Sequence, residues 1–195
     1  MTEINPVPRP AADCLHGLIH FIHGKESGPR GRKILAMAGA ARQAGWETES
    51  LDYSGSMEPA VRLALLLSQH GASGRPLVLV GSSMGGWVAG EASRALNPVG
   101  LFLLAPAFGL SHYPTRGTCA PDAITEIVHG WSDDVIPPAH SIDFAREHAC
   151  TLHLVPGDHR LEQALPELCG LFEQFLKRLS RPLASHPSAL CTHLS

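Results

Sequence analysis

Along the chain, short uninterrupted apolar runs alternate with longer stretches in which apolar residues recur every three or four positions. Leu18 to Ile22 (LIHFI) reads as a strand stopped by His23-Gly24, and Arg32 to Ala44 has helical composition, with Gly45 placed as a C-terminal stop. Trp46 to Tyr53 alternates weakly and predicts a second strand. Glu58 to His70 suits a helix with Pro59 in its first turn and Gly71 beyond its end. Leu77 to Val80 is a continuous apolar run, the kind expected of a strand covered on both faces. Helical spacing resumes from Ser83 to Leu96 and stops at Asn97-Pro98. Gly100 to Ala105, Ala123 to His129 and Thr151 to Val155 predict further strands, and Ala139 to His148 and Leu161 to Leu179 predict helices after the last two.

Strands alternating with helices of this length imply right-handed crossovers. The expected architecture is α/β: one mainly parallel sheet of about six strands with helices on both faces, in a single domain over residues 13–180. Residues 1–12, with Pro6, Pro8 and Pro10, predict a loose N-terminal arm, and residues 181–195 lack periodicity and predict a C-terminal tail. In such sheets ligands bind beyond the carboxyl ends of the strands, so chemistry is to be sought in the loop after each strand.

Composition narrows the partners. The formal net charge is −3 and the longest basic run is Arg30-Gly31-Arg32-Lys33, which argues against a broad cationic face for nucleic acid. No stretch reaches the roughly 18 apolar residues of a membrane span, and the N-terminus has no basic start followed by an apolar run, so neither membrane nor export is expected. The cysteines, five in number and widely spread, suit reduced thiols, which makes cytoplasm the expected location.

Three strand ends carry reactive groups. After the third strand stands Gly81-Ser82-Ser83-Met84-Gly85, a G-x-S-x-G pattern between a buried strand and a helix. Glycines at 81 and 85 allow a sharp turn that presents the Ser83 hydroxyl at a helix N-terminus, where free amides and the helix dipole favour negative charge. A serine hydroxyl needs a base to take its proton, and the base must itself be oriented. After the fifth strand come Asp133 and Asp134, and after the sixth comes His159, giving the chain order Ser, Asp, His. The first strand closes on His23-Gly24-Lys25, whose Lys25 amide is placed to meet a developing oxyanion together with the amide of Met84.

These elements resemble the α/β-hydrolase superfamily over residues of about 15–180. Within it the chain looks like the small lidless bacterial-type serine esterases that carry a short His-Gly-x-x-Ser segment, here HGKESGP. The resemblance implies Ser83 as nucleophile, His159 as general base, and the Lys25 and Met84 amides as the oxyanion hole. The family pattern G-x-x-D-x-x-V-P falls on Gly130, Asp133 and Pro137, with Ile136 in place of valine, which selects Asp133 over Asp134 as the acid. The chain departs from larger members of the superfamily in having no segment long enough for a cap domain. Its longest excursion, Pro106 to Pro121, is expected to form only a small rim.

The activity implied is cleavage of a small carboxylic ester through an acyl-enzyme, with no cofactor. A thioester substrate is the alternative served by the same machinery, and a non-catalytic binding module on the same scaffold is the alternative of another class. His23, Gly24, Phe108 and Trp131 are candidates to contact substrate, although His23 is also suited to bracing the oxyanion loop, and Phe108 and Trp131 to packing. No His, Cys and Asp cluster shows metal-ligand spacing, so no metal is expected, and His20 is read as a strand residue.

Overall fold

The structure, a computed structural model, describes residues 16–70 and 74–180; the arm expected over 1–12, the tail expected over 181–195 and the stop at Gly71 lie outside them. The described chain runs β1 (Leu18–Ile22), α1 (Arg32–Gln43), β2 (Glu47–Ser50), α2 (Pro59–Gln69), β3 (Leu77–Ser82), α3 (Met84–Leu96), β4 (Gly100–Leu104), β5 (Ile124–Gly130), α4 (Pro138–His148), β6 (Thr151–Val155) and α5 (Leu165–Leu179). All six strands are parallel, in the order β2-β1-β3-β4-β5-β6. The α/β architecture expected from the apolar pattern is the one observed.

The alternation along each strand decides which helices cover which face. Ile19, Phe21, Val78, Val80, Phe102 and Leu104 point to one side, where α1 and α5 supply Met37, Leu168, Phe172 and Phe175. Ile22, Leu79, Leu101, Leu103 and Ile127 point to the other, where α2, α3 and α4 supply Leu66, Trp87, Val88 and Phe144. Because side chains alternate with period two, a strand apolar at every position is buried on both sides, and β4 is buried at each of its residues. Phe172 sits between Phe21 and Phe102, with ring centroids 6.3 and 5.1 Å away.

Several boundaries differ from the sequence pattern for local reasons. The second strand spans only the four residues that pair with β1, Glu47 to Ser50, because the chain then turns to bury Tyr53. The last helix begins at Leu165 and not at Leu161, whose φ of 56° lies in the left-handed region that no right-handed helix accommodates. Pro166 then occupies a first-turn position, where its missing N–H costs nothing. Among the described residues no helix is long and apolar enough to cross a membrane.

Phe172→Ala should cost about 3–5 kcal/mol, because the close-packed ring cluster collapses only partly around the void. Leu35→Ala, on the solvent side of α1, should stay within about 0.5 kcal/mol. Urea unfolding of the two variants beside the parent measures both.

Candidate active site

The site begins with the turn from β3 into α3. Ser83 has φ 55° and ψ −118°, a strained conformation for a residue with a side chain. Two constraints hold it there. A Cβ at Gly81 would lie 2.3 Å from the Gly85 carbonyl oxygen, and one at Gly85 would lie 2.1 Å from that of Ile22, so only glycine lets strand and helix approach this closely. The Ser83 N–H donates to the Leu104 carbonyl at 2.9 Å, while its own carbonyl accepts from the amides of Gly86, Trp87 and Ala107. The backbone is thereby tied to β4 and to the loop after it, and the hydroxyl is left projecting at the helix N-terminus.

That hydroxyl lies 3.0 Å from His159 Nε2, and His159 Nδ1 lies 2.7 Å from Asp133 Oδ2. The carboxylate can only accept, so Nδ1 carries the ring proton and Nε2 is the acceptor facing Ser83. Asp133, not the exposed Asp134, makes this contact. Asp133 is buried, and its Oδ1 accepts from the amides of Val135 and Ile136 at 2.9 and 2.8 Å. Burial alone would raise this carboxyl; the hydrogen bonds from the Ile136 amide, the His159 ring and the Val135 amide outweigh it and hold the group below the ordinary aspartate range.

A second histidine, not singled out by its sequence context, braces the acid. His129 is fully buried on β5, with Nε2 3.0 Å from Asp133 Oδ2 and 2.9 Å from the Ile136 carbonyl, and Nδ1 2.7 Å from the Ser141 hydroxyl. Both neighbours of Nε2 are acceptors, so the ring is the Nε2–H tautomer and Ser141 donates to Nδ1. Burial pushes the His129 pKa down, which keeps the ring neutral beside Asp133.

The loop after β1 passes close to the serine: a Cβ at Gly24 would lie 3.4 Å from Ser83 Cβ. Among the described residues, the amides of Lys25 and Met84 donate to no backbone carbonyl. His23 is fully buried, and its ring braces this loop. Its Nδ1–H donates to the Gly24 carbonyl and its Nε2 accepts from the Tyr53 amide, so both ring nitrogens are committed, and burial lowers its pKa. Arg62, from α2, is also buried. Its guanidinium donates to the carbonyls of His23, Gly24 and Lys25 at 3.2, 3.1 and 3.4 Å, and to that of Ser56 at 2.7 Å. An arginine inside a helical pattern gives no sequence signal of such a role.

A cavity of about 660 Å³ opens over Ser83 and His159, within the size range of small-molecule sites. His23, Gly24 and Lys25 border it, and the excursion after β4 contributes Ala107, Leu110, His112 and Tyr113. Lys33 reaches in from α1, with Nζ 3.3 Å from Ser82 Oγ, and burial lowers its pKa. Two of the expected substrate contacts stand elsewhere. Phe108 is fully buried, stacked on Phe144 at 4.1 Å, because Gly90 and Gly117 leave room for its ring in the core. Trp131 is 59% exposed and does not line the cavity.

A family model described as the alpha/beta hydrolase family matches residues 21–193. A protein from Xanthomonas campestris pv. campestris, described as a hydrolase of the α/β superfamily, is 31% identical; its solved structure superposes with a TM-score of 0.78 over 83% of this chain and 99% of that one. Another X. campestris structure, described as an α/β serine hydrolase without a lid, is 20% identical with a TM-score of 0.67, covering 89% of this chain and 88% of that one. Mouse alpha/beta hydrolase domain-containing protein 10 is 21% identical with a TM-score of 0.69, over 85% and 93% of the respective chains. At such identities the latter two speak for the fold alone. No curated protein is significantly similar to the chain.

The buried rings carry a pH dependence whose sign follows from their environment. His23 and His129 titrate below the ordinary 6.5 when folded, so below that pH the unfolded chain binds protons that the folded one excludes. Stability should therefore fall as the pH drops from about 7.5 to about 5, and Asp133 should add a further loss as the pH falls through its depressed pKa. Urea midpoints across this range test the sign; a flat profile would mean that the two rings accept protons without cost in the fold.

Proposed function

The chain belongs to the α/β-hydrolase family, and on that footing we propose that it hydrolyses small carboxylic esters with Ser83 as its nucleophile. The observation that carries this reading is the unbroken line from Ser83 Oγ through His159 to the buried Asp133, at 3.0 and 2.7 Å, at the mouth of a cavity.

As Ser83 Oγ attacks the ester carbonyl, its proton passes to His159 Nε2, and the imidazolium that forms is stabilised by the ionised Asp133. The carbonyl oxygen becomes an oxyanion facing the amides of Lys25 and Met84. When the tetrahedral species collapses, His159 returns the proton to the departing alkoxide, leaving the acyl group on Ser83. Water enters, gives its proton to His159 and attacks the acyl carbonyl, and a second collapse frees the acid and restores Ser83. No step requires a cofactor.

Arg62 enters as a positioning residue. In a trans peptide the C=O and N–H point in opposite directions. Drawing the Gly24 carbonyl toward Arg62 therefore turns the Lys25 N–H away from α2, on the opposite side of the peptide plane. A charged donor holding three successive carbonyls is stiffer than a neutral one, because its hydrogen bonds are roughly twice as strong. Preorganisation of this kind matters, since one oxyanion donor is typically worth about 3 kcal/mol in the transition state.

Labelling the purified protein with a fluorophosphonate and locating the modified peptide by mass spectrometry tests the nucleophile. The adduct is expected on Ser83 alone, and Ser83→Ala should lose both labelling and turnover of esters while unfolding like the parent. An adduct elsewhere, or full turnover by the alanine variant, would remove Ser83 from this role. Arg62→Met should lower kcat by about 100-fold with KM little changed, the size of losing one oxyanion donor. Steady-state kinetics on protein shown to be folded by circular dichroism measures that split; a rise in KM at constant kcat would assign Arg62 to substrate binding instead.

A further inference from the structure

On the α2 and α3 side of the sheet, away from Ser83, three side chains from distant parts of the chain converge. His20 comes from the middle of β1, Glu49 from β2 and His70 from the end of α2. His20 Nδ1 lies 2.6 Å from Glu49 Oε1, His70 Nε2 lies 2.9 Å from the same oxygen, and the two ring nitrogens lie 2.8 Å apart. Period-two alternation puts His20 on this face while Ile19 and Phe21 enter the opposite core.

Protons cannot satisfy this triangle. Each of its edges needs one hydrogen between two lone pairs, and with the partly exposed Glu49 ionised, as at neutral pH, only the two nitrogens can carry one. If both are protonated, both can donate to Glu49 Oε1, and the two N–H groups are then crowded together across 2.8 Å with no acceptor between them. If only His20 Nδ1 is protonated, its hydrogen goes to Glu49 and the His70 lone pair faces the same carboxylate oxygen at 2.9 Å. If only His70 is protonated, the 2.6 Å contact between His20 and Glu49 sets lone pair against lone pair. One cation placed against all three atoms removes every conflict at once.

We propose that His20, Glu49 and His70 form a binding site for a divalent first-row transition-metal ion. Two imidazoles and one carboxylate are a donor set suited to such ions. Ligand atoms held at about 2.0–2.1 Å and at right angles around a metal are separated by about 2.9 Å, so the triangle matches one face of a six-coordinate site. The remaining positions fall to water, since Glu49 is 40% exposed and leaves a way in, whereas His20 is fully buried.

The surroundings agree with this assignment. With the metal on Nδ1, the Nε2–H of His20 donates to the Tyr53 hydroxyl at 2.7 Å, an outer partner that fixes the ring and raises its basicity as a ligand. Tyr53 also donates its amide to His23 Nε2, which ties the cluster to the loop beside Ser83. The ion is thus a bound stabiliser of that edge of the sheet, remote from the ester chemistry.

The test is a titration of the chelator-treated full-length protein with Zn²⁺ by calorimetry and with Co²⁺ by visible absorption. One equivalent of each is expected to bind, with cobalt bands of a nitrogen and oxygen site and a thermal midpoint that rises with metal concentration. Glu49→Gln and His70→Ala, both at partly exposed positions and each checked for folding, should weaken this binding by more than the roughly 10–100-fold typical of losing an outer partner. The chain holds twelve histidines, so the comparison with the variants is decisive. Absence of stoichiometric binding, or binding of equal strength in both variants, would overturn the proposal.

Discussion

Everything at the candidate site depends on the backbone of one residue. Ser83 occupies a left-handed conformation that costs on the order of 1–3 kcal/mol, and it persists only because its neighbours leave the chain no other path. The Gly81 and Gly85 contacts let β3 and α3 meet at a distance that side chains would forbid, and the bonds to Leu104, Gly86, Trp87 and Ala107 hold the turn to the next strand and its loop. Relaxing this one torsion would swing the hydroxyl away from His159. The strain is therefore spread over a well-packed part of the sheet that can bear it.

Around this turn, charge is managed through burial and hydrogen-bond geometry. Asp133 is removed from water, which by itself favours its neutral form, yet two amides and the His159 ring hydrogen-bond the carboxylate and reverse the balance. His129 and His23 stay neutral because each is buried between an acceptor and a donor that dictate its tautomer. Arg62 is the opposite case, a buried cation facing backbone carbonyls in place of a carboxylate. A formal ion pair there would compete for the guanidinium; carbonyl dipoles instead let it organise the loop after β1.

The parallel sheet explains why these groups meet. All strands end on the same side, so the loops after β1, β3, β5 and β6 open into one crevice even though Lys25 and His159 lie far apart in the chain. The excursion after β4 reaches the same crevice and adds His112 and Tyr113 to its wall. The same alternation that fills the two cores sends His20 to the opposite side of β1 from Phe21, where Glu49 and His70 await it.

The apolar runs by themselves determined the α/β class, the number of strands and the placement of Ser83, Asp133 and His159 at strand ends, because each of these is a local property of ten or so neighbouring residues. Phe108 was ambiguous for the same reason: an aromatic ring in a loop reads alike whether it faces a cavity or fills a core, and only the space beside Gly90 and Gly117 decided it. The choice of Asp133 over Asp134, resting in the sequence on a family pattern, became in the folded chain a hydrogen bond to His159. Arg62, His129 and the His20, Glu49 and His70 triangle left no trace in the sequence. Arg62 reaches loop carbonyls 37 to 39 residues away and His20 meets partners 29 and 50 away, contacts that exist only after the strands have paired. His129 meets Asp133, four residues on, only through the turn after β5.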